Sequence, residues 1–314
     1  MAEKIATRES YGKGLVELGE KYPEIVVLDA DLAESTKTVY FMKAYPDRFY
    51  DCGIAEQNMV AVSAGLAACG KIPFCSSFAM FASGRAFDQI RNGVAYPKLN
   101  VKICATHAGI TVGEDGATHQ CLEDMGIMRT IPNMVILNPG DDVEARAALR
   151  AAAQHKGPVY MRFGRAPVPV IFDEKTFKFE IGKGQILSEG TDVTIVATGI
   201  MIEAALTAKQ LLANEGISAE VIDICTIKPI DRDLLLASSA KTGAVVTAEE
   251  HNIIGGLGSA VAEVLAEGNP VPMRRVGVED QFGRSGKVPA LLEYYGLTAE
   301  NIVCKAKEAI AMKK

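Results

Sequence analysis

The chain has no apolar run of the roughly 18 residues that a membrane-crossing helix needs, and its opening MAEKIATRES has no apolar signal-peptide core. Both absences argue against membrane insertion or export, and the expected location is the cytoplasm. Positive charge is in deficit, since 33 Lys and Arg against 39 Asp and Glu leave a formal net charge of −6. No basic field is available to hold nucleic acid, so an anionic substrate must be captured by a few local groups. The seven cysteines (Cys52, Cys69, Cys75, Cys104, Cys121, Cys225 and Cys304) contain no C-x-x-C pair. An odd set, mostly among apolar neighbours, argues against a disulfide or zinc framework and for small buried hydrophobes in a reducing compartment. Histidine is scarce, with four in the whole chain.

What is present is enough for two cores. At 314 residues and 48% hydrophobic, the chain exceeds one ordinary domain of about 150 residues. Short β-rich runs alternate with helical stretches: EIVVLDAD, a helix from Met59, KIPFCSSF, a helix over GRAFDQIRNGVAY, VKICATH, NMVILNP, the helix DDVEARAALRAAAQH and the strand PVYMRF. This alternation predicts an α/β domain with a largely parallel sheet. Asp141 or Asp142 after Pro139-Gly140 is the expected cap of the last of these helices. Periodicity is lost after Arg165 and returns at DVTIVAT, so the boundaries are 1–168 for the first domain, 169–188 for a linker and 189–314 for a second α/β domain. Ligands of parallel α/β sheets gather at the carboxyl ends of the strands. That rule selects residues 29–35, 51–58, 76–84, 107–120 and 162–165, all in the first domain.

Two of these segments carry chemistry. Glu56, in DCGIAEQNM, sits where a strand ends and the small-residue helix MVAVSAGLAAC begins. A lone carboxylate there is placed to be desolvated and tuned, although a carboxylate satisfied by helix N-terminal amides has the same position. THAGITVGEDGATHQ carries His107, Glu114, Asp115 and His119 among three glycines. Imidazoles beside a hydroxyl-bearing substrate can donate, accept and shuttle protons near neutral pH. The spacing matches none of the helical metal motifs, and no metal ligand is assigned in this chain.

GEDGATHQ, preceded by DCGIAEQNM and SSFAMFASGRAFDQIRN, resembles the pyrimidine-binding half of transketolase, and the likeness runs in order from ATRESYG and DADLAES to the C-terminal domain. The resemblance implies a thiamine-diphosphate-binding pyrimidine domain followed by a transketolase C-terminal α/β domain. It also implies transfer of a two-carbon ketol unit from a ketose phosphate to an aldose phosphate, as in the pentose phosphate pathway. Glu56 is then the carboxyl group that promotes the imino tautomer of the cofactor's aminopyrimidine. Phe78 and Phe81 offer ring faces to the pyrimidine, Phe81 more firmly, while Gly84 stands where some members present a further aromatic. Asp31 resembles a residue that reaches the cofactor from a neighbouring subunit. His107 and His119 resemble the histidines that bind substrate hydroxyls and relay protons at the carbonyl, and Asp115 the aspartate that reads a hydroxyl beside the reacting carbon. Arg8 and Arg162 match phosphate-binding arginines, with Ser35 as a hydroxyl donor. Arg85, Gln89 and Arg91 are read as a solvated helix face.

The family also needs a Gly-Asp-Gly segment for the diphosphate and a divalent metal, Mg or Ca, and this chain has none; Glu114-Asp115-Gly116 belongs to the substrate loop. With Met1 only a few residues before the pyrimidine-binding domain, the expectation is a natural C-terminal section. It would be active with a separate N-terminal transketolase subunit carrying that motif, in a heterotetramer of two chains of each kind. The alternatives are the C-terminal half of a deoxyxylulose-phosphate synthase-like enzyme, a more distant 2-oxo acid dehydrogenase β subunit, and a non-catalytic structural subunit. GGLGSAVAE at Gly255 imitates a dinucleotide fingerprint, but Val261 stands where the third small residue belongs, and it is read as a helix start. Glu249, Glu250 and His251 are expected at an interface or as a cap, and no catalytic residue is expected in the second domain.

Overall fold

The computed structural model describes residues 3–313. In chain order the first half comprises β1 (Lys4–Ala6), α1 (Thr7–Lys21), β2 (Ile25–Asp29), α2 (Ala33–Thr36), α3 (Val39–Ala44), β3 (Phe49–Asp51), α4 (Glu56–Ala68), β4 (Ile72–Phe78), β5 (Lys102–Thr106), α5 (Asp124–Arg129), β6 (Val135–Leu137), α6 (Asp142–Gln154), β7 (Val159–Arg162) and β8 (Pro167–Pro169). The second half comprises β9 (Gln185–Ser188), β10 (Val193–Ala197), α7 (Met201–Asn214), β11 (Ala219–Asp223), β12 (Thr226–Lys228), α8 (Arg232–Thr242), β13 (Val245–Asn252), α9 (Leu257–Gly268), β14 (Met273–Val278), α10 (Val288–Tyr294) and α11 (Ala299–Ala311). The predicted alternation is what the chain forms.

Seven strands in the order β12-β6-β7-β5-β4-β2-β3 make the first sheet. β2, β4, β5 and β7 are buried along their whole length or nearly so, which is why they read as apolar runs without a period of two. One face packs on α1, α3 and α6 through Tyr11, Leu15, Phe41 and Leu149, the other on α4 and α5 through Met59, Val60 and Met125. The second sheet, β14-β13-β10-β11-β9, is parallel except for its edge strand β9, which lies at the end of the segment 169–188. The two halves are not independent. β12, far along the chain, pairs antiparallel with β6 at the edge of the first sheet, and the core beneath α4 runs on through Ile222, Ile224, Val245 and Leu257.

Local signals hold at several points. Asp141 caps α6, accepting from the Glu144 backbone NH at 2.8 Å. GGLGSAVAE is the start of α9. Four cysteines, Cys75, Cys104, Cys121 and Cys225, are buried, whereas Cys69 and Cys304 are exposed and Cys52 is half-buried. The helix expected over GRAFDQIRNGVAY is instead two wide helical turns, Met80–Arg85 and Gln89–Ala95, of the i→i+5 kind that often marks functional sites.

The first domain's loop meets the second domain at Gly109. Its φ is +78°, and a Cβ there would lie 2.1 Å from the Glu250 carboxyl carbon. Replacing Gly109 by Ala is expected to lower stability by roughly 3 kcal/mol, from backbone strain and overpacking together. In α4, a Cβ on Gly65 meets nothing within 4 Å, and Gly65→Ala is expected to be stabilising by about 0.5–1 kcal/mol. Urea unfolding of the two variants measures both.

Candidate functional site

Glu56 is the first residue of α4, and its side chain, set between Ser77 and the wide turn after β4, is 1% exposed. Burying a carboxylate demands a partner. The partner is Arg85, whose Nη1 donates to both carboxylate oxygens at 2.9 and 3.0 Å, while the Ser77 hydroxyl lies 3.5 Å from Oε1. The same guanidinium lies over Phe81, its carbon 4.6 Å from the ring centre. Arg85, expected on a solvated helix face, instead contacts both Glu56 and Phe81. The available signal was its spacing: four residues beyond Phe81 on a helical turn, a cation can reach back over the ring.

From Phe81 an aromatic row crosses the ends of the central strands. Phe78, the last residue of β4, stacks on the His107 ring at 3.8 Å, and Phe81 lies 6.0 Å from Phe78. His119 meets Phe81 edge-on at 5.3 Å. The loop thus folds back and brings both histidines to one aromatic wall. His107 follows β5 with a left-handed φ of 56°, the kind of strained residue found at functional sites. Its Nε2 is 3.2 Å from Arg8 Nη1 and its Nδ1 is 2.9 Å from the Thr106 hydroxyl. Arginine can only donate, so Nε2 accepts and the proton sits on Nδ1. Burial, and then Arg8, Arg165 and His119, push the His107 pKa down to about 3.

At the far end of the row, Arg8 Nη1 also donates to the Ser35 carbonyl at 3.0 Å, and burial lowers the Arg8 pKa. The Ser35 side chain is half-buried in α2 beside it. Arg8, Arg165, Lys4 and Lys13 line a cleft of about 840 Å³ that runs between the first domain and α10 of the second. Asp115 is exposed on the loop, and Asp31 is exposed with a φ of 61° in the turn after β2, where its NH donates to Asp51.

Arg162 does not join this group. Its side chain is buried, its Nε bonds Asp124 at 2.9 Å and its Nη2 bonds the Glu250 carbonyl at 2.8 Å. The cation that faces the cleft from this segment is Arg165, three residues on. Arg162 is the last residue of a strand buried on both faces, whereas Arg165 lies past the strand end, where ligand groups are presented. The second domain contributes support. Glu249 caps α9 through the NH groups of Leu257 and Gly258, and Glu250 accepts from the Thr111 NH at 2.7 Å. His251 accepts from the Gly126 NH, so the trio is both cap and interface. Gln120, buried, donates to the carbonyls of Ile110, Gly113 and Arg284, which ties the histidine loop to the second domain. Among the described residues there is no group of three or more His, Cys, Asp or Glu placed to hold a metal, and no helix long and apolar enough to cross a membrane.

The chain's relatives have the same two-part layout. Residues 3–170 match the transketolase pyrimidine-binding domain, and residues 182–302 match the transketolase C-terminal domain. A Methanocaldococcus jannaschii protein described as a transketolase C-terminal section is 55% identical over 98% of this chain and 96% of its own length. A 6-deoxy-6-sulfo-D-fructose transketolase subunit from a Clostridium species is 49% identical over 98% of this chain and 95% of its own. A solved split-gene transketolase, described as an inactive β4 tetramer, superposes with a TM-score of 0.91 at 55% identity over 99% of this chain and all of that one.

His107 is expected to remain a neutral Nδ1–H imidazole down to pH 5, because its proton affinity is depressed far below the ordinary value near 6.5. Nitrogen-15 chemical shifts of the imidazole in the unliganded protein, followed from pH 8 to 5, measure this. Replacing Arg8 by Ala removes one depressing charge and is expected to move the titration upward.

Proposed function

The chain belongs to the transketolase family, as a C-terminal section made of the pyrimidine-binding and C-terminal domains, and we propose that it works as the thiamine-diphosphate-dependent subunit of a two-chain ketol transferase. The observation that carries this reading is the buried Glu56 carboxylate close to the Phe81 ring, the two bridged by Arg85, at the carboxyl edge of a parallel sheet. That pair fits the aminopyrimidine end of the cofactor: an acceptor for a ring nitrogen and an aromatic surface for the ring. When bound, thiamine diphosphate supplies a thiazolium carbon that becomes a nucleophile once deprotonated. Glu56 would hold the proton at the pyrimidine nitrogen, out of water, and Phe81 with Phe78 would fix the ring plane.

The remaining residues suit a sugar with an anionic end. His107 and His119 would bind substrate hydroxyls and move a proton at the carbonyl oxygen, the neutral His107 as acceptor, with Asp115 reading the neighbouring hydroxyl. Arg8 and Arg165, with Ser35, would hold the terminal anion, so the role expected of Arg162 passes to Arg165. A phosphate and a sulfonate both fit two guanidinium groups, and a relative acts on a sulfonated sugar. Asp31, exposed near the turn before α4, would reach the cofactor of a neighbouring subunit.

Neither the deoxyxylulose-phosphate synthase alternative nor a purely structural subunit is favoured by the relatives. The diphosphate and a divalent ion, Mg or Ca, would be held by an N-terminal subunit with a Gly-Asp-Gly segment, two chains of each kind forming the active assembly in the cytoplasm. The inactivity of the related β4 tetramer supports the need for that second chain.

Two experiments test the reading. In the assembly reconstituted with its partner, Glu56→Gln is expected to reduce ketol transfer on the order of 10²–10⁴-fold without loss of assembly, measured with xylulose phosphate and ribose phosphate and, in parallel, a 6-sulfo ketose. Pyruvate-dependent condensation with glyceraldehyde phosphate and no ketol transfer would overturn it. Separately, Arg165→Ala is expected to raise KM for the anionic sugar by about 10-fold or more, as loss of a charge-assisted bond implies. Arg162→Ala is expected instead to destabilise the fold by about 3–5 kcal/mol through the orphaned Asp124, seen in thermal unfolding.

A further inference from the structure

Both surfaces assigned to the pyrimidine ring are already engaged by one side chain of this chain. Arg85 donates to both Glu56 oxygens and lies over Phe81 with its carbon 4.6 Å from the ring centre. A guanidinium shares with an aminopyrimidine the properties those surfaces select: a planar group, N–H donors for a carboxylate, and a face that stacks on an aromatic ring. We propose that Arg85 is an internal stand-in for the aminopyrimidine, holding Glu56 and covering Phe81 while the site is empty and yielding both to the cofactor when it arrives. The inference rests on the reading of Glu56 and Phe81 given above.

The exit is short. Arg85 is the last residue of the wide turn Met80–Arg85, its side chain is 48% exposed, and Gly84 beside it presents no side chain. Rotation into solvent therefore needs no movement of β4 or α4, whereas Glu56, at 1% exposure, cannot leave. Cofactor entry becomes an exchange of partners at a fixed carboxylate, and the apparent affinity is the intrinsic affinity scaled by the fraction of chains in which Arg85 is out. Because the arginine end of the ion pair is half exposed, salt weakens it.

The test is thiamine diphosphate binding to the chain assembled with its partner, by calorimetry and by the rate of uptake, in the wild type, Arg85→Ala, Arg85→Gln and Glu56→Gln. Expected are a two- to fivefold tighter Kd, the range of a partly exposed ion pair, and faster uptake in both Arg85 variants. Raised salt should speed uptake in the wild type and not in the variants. Unchanged or weaker binding in folded Arg85 variants would overturn the proposal, the latter making Arg85 a wall that stays in place with the ring. Binding indifferent to Glu56→Gln would overturn the cofactor reading itself, so the two failures are distinguishable.

Discussion

A guanidinium inside a protein is tolerated only where every side of it is matched, and this fold is arranged around one such group. Arg162 ends the strand β7 and meets Asp124, itself bonded by the Tyr160 hydroxyl at 2.8 Å, and the carbonyls of Glu250 and Cys121. Asp124 opens α5, Cys121 ends the histidine loop and Glu250 lies in the second sheet. One cation therefore fixes three elements of the first domain to one of the second. Removing either partner would leave a buried charge uncompensated, at several kcal/mol, which makes the relative placement of the two domains part of the core.

That junction explains how the second domain shapes the site. The Glu250 side chain turns back across the interface to the Thr111 NH, and burial pushes its carboxyl pKa up to about 7. Gly109 has room for this carboxyl only because it lacks a Cβ. From the other side, the Arg284 carbonyl accepts from the Gln120 side chain and the Ser285 hydroxyl donates to the Glu114 carbonyl. The segment carrying Asp115 and His119 is thus positioned by contacts to residues far away in sequence.

Sequence made the local half of this legible. The alternation of apolar β-rich runs with helical stretches marked β2, β4, β5 and β7, and the rule that ligands gather past strand ends selected loops that the fold brings side by side. Glu56 stood out because a carboxylate before a small-residue helix has no solvent on its inner side. What stayed hidden depended on long-range pairing. β12 enters the first sheet from beyond the 169–188 segment, and nothing in the composition of Thr226–Lys228 distinguishes it from a second-domain connector. Arg162 and Arg165 differ by three positions, and only the point where β7 stops decides which one faces inward and which faces the cleft. For Arg85, the helical spacing was visible, but its partner Glu56 lies 29 residues away.

The two ends of the site follow one rule. At one end Glu56 accepts from Arg85; at the other His107 Nε2 accepts from Arg8, and between them lie rings with few polar atoms. An acceptor buried without a donor costs about 1–3 kcal/mol, so a pocket built around a carboxylate and an imidazole lone pair is unstable unless something supplies donors in the absence of ligand. In this chain two arginines do so. They differ in what happens next. Arg8, half-buried, is held by the Ser35 carbonyl, a backbone group that stays in place, whereas Arg85 is held by the carboxylate and ring that a cofactor would take. The difference in what holds each one, a backbone carbonyl or a ligand's own surfaces, more than any difference in charge, would separate an arginine that stays from one that gives way.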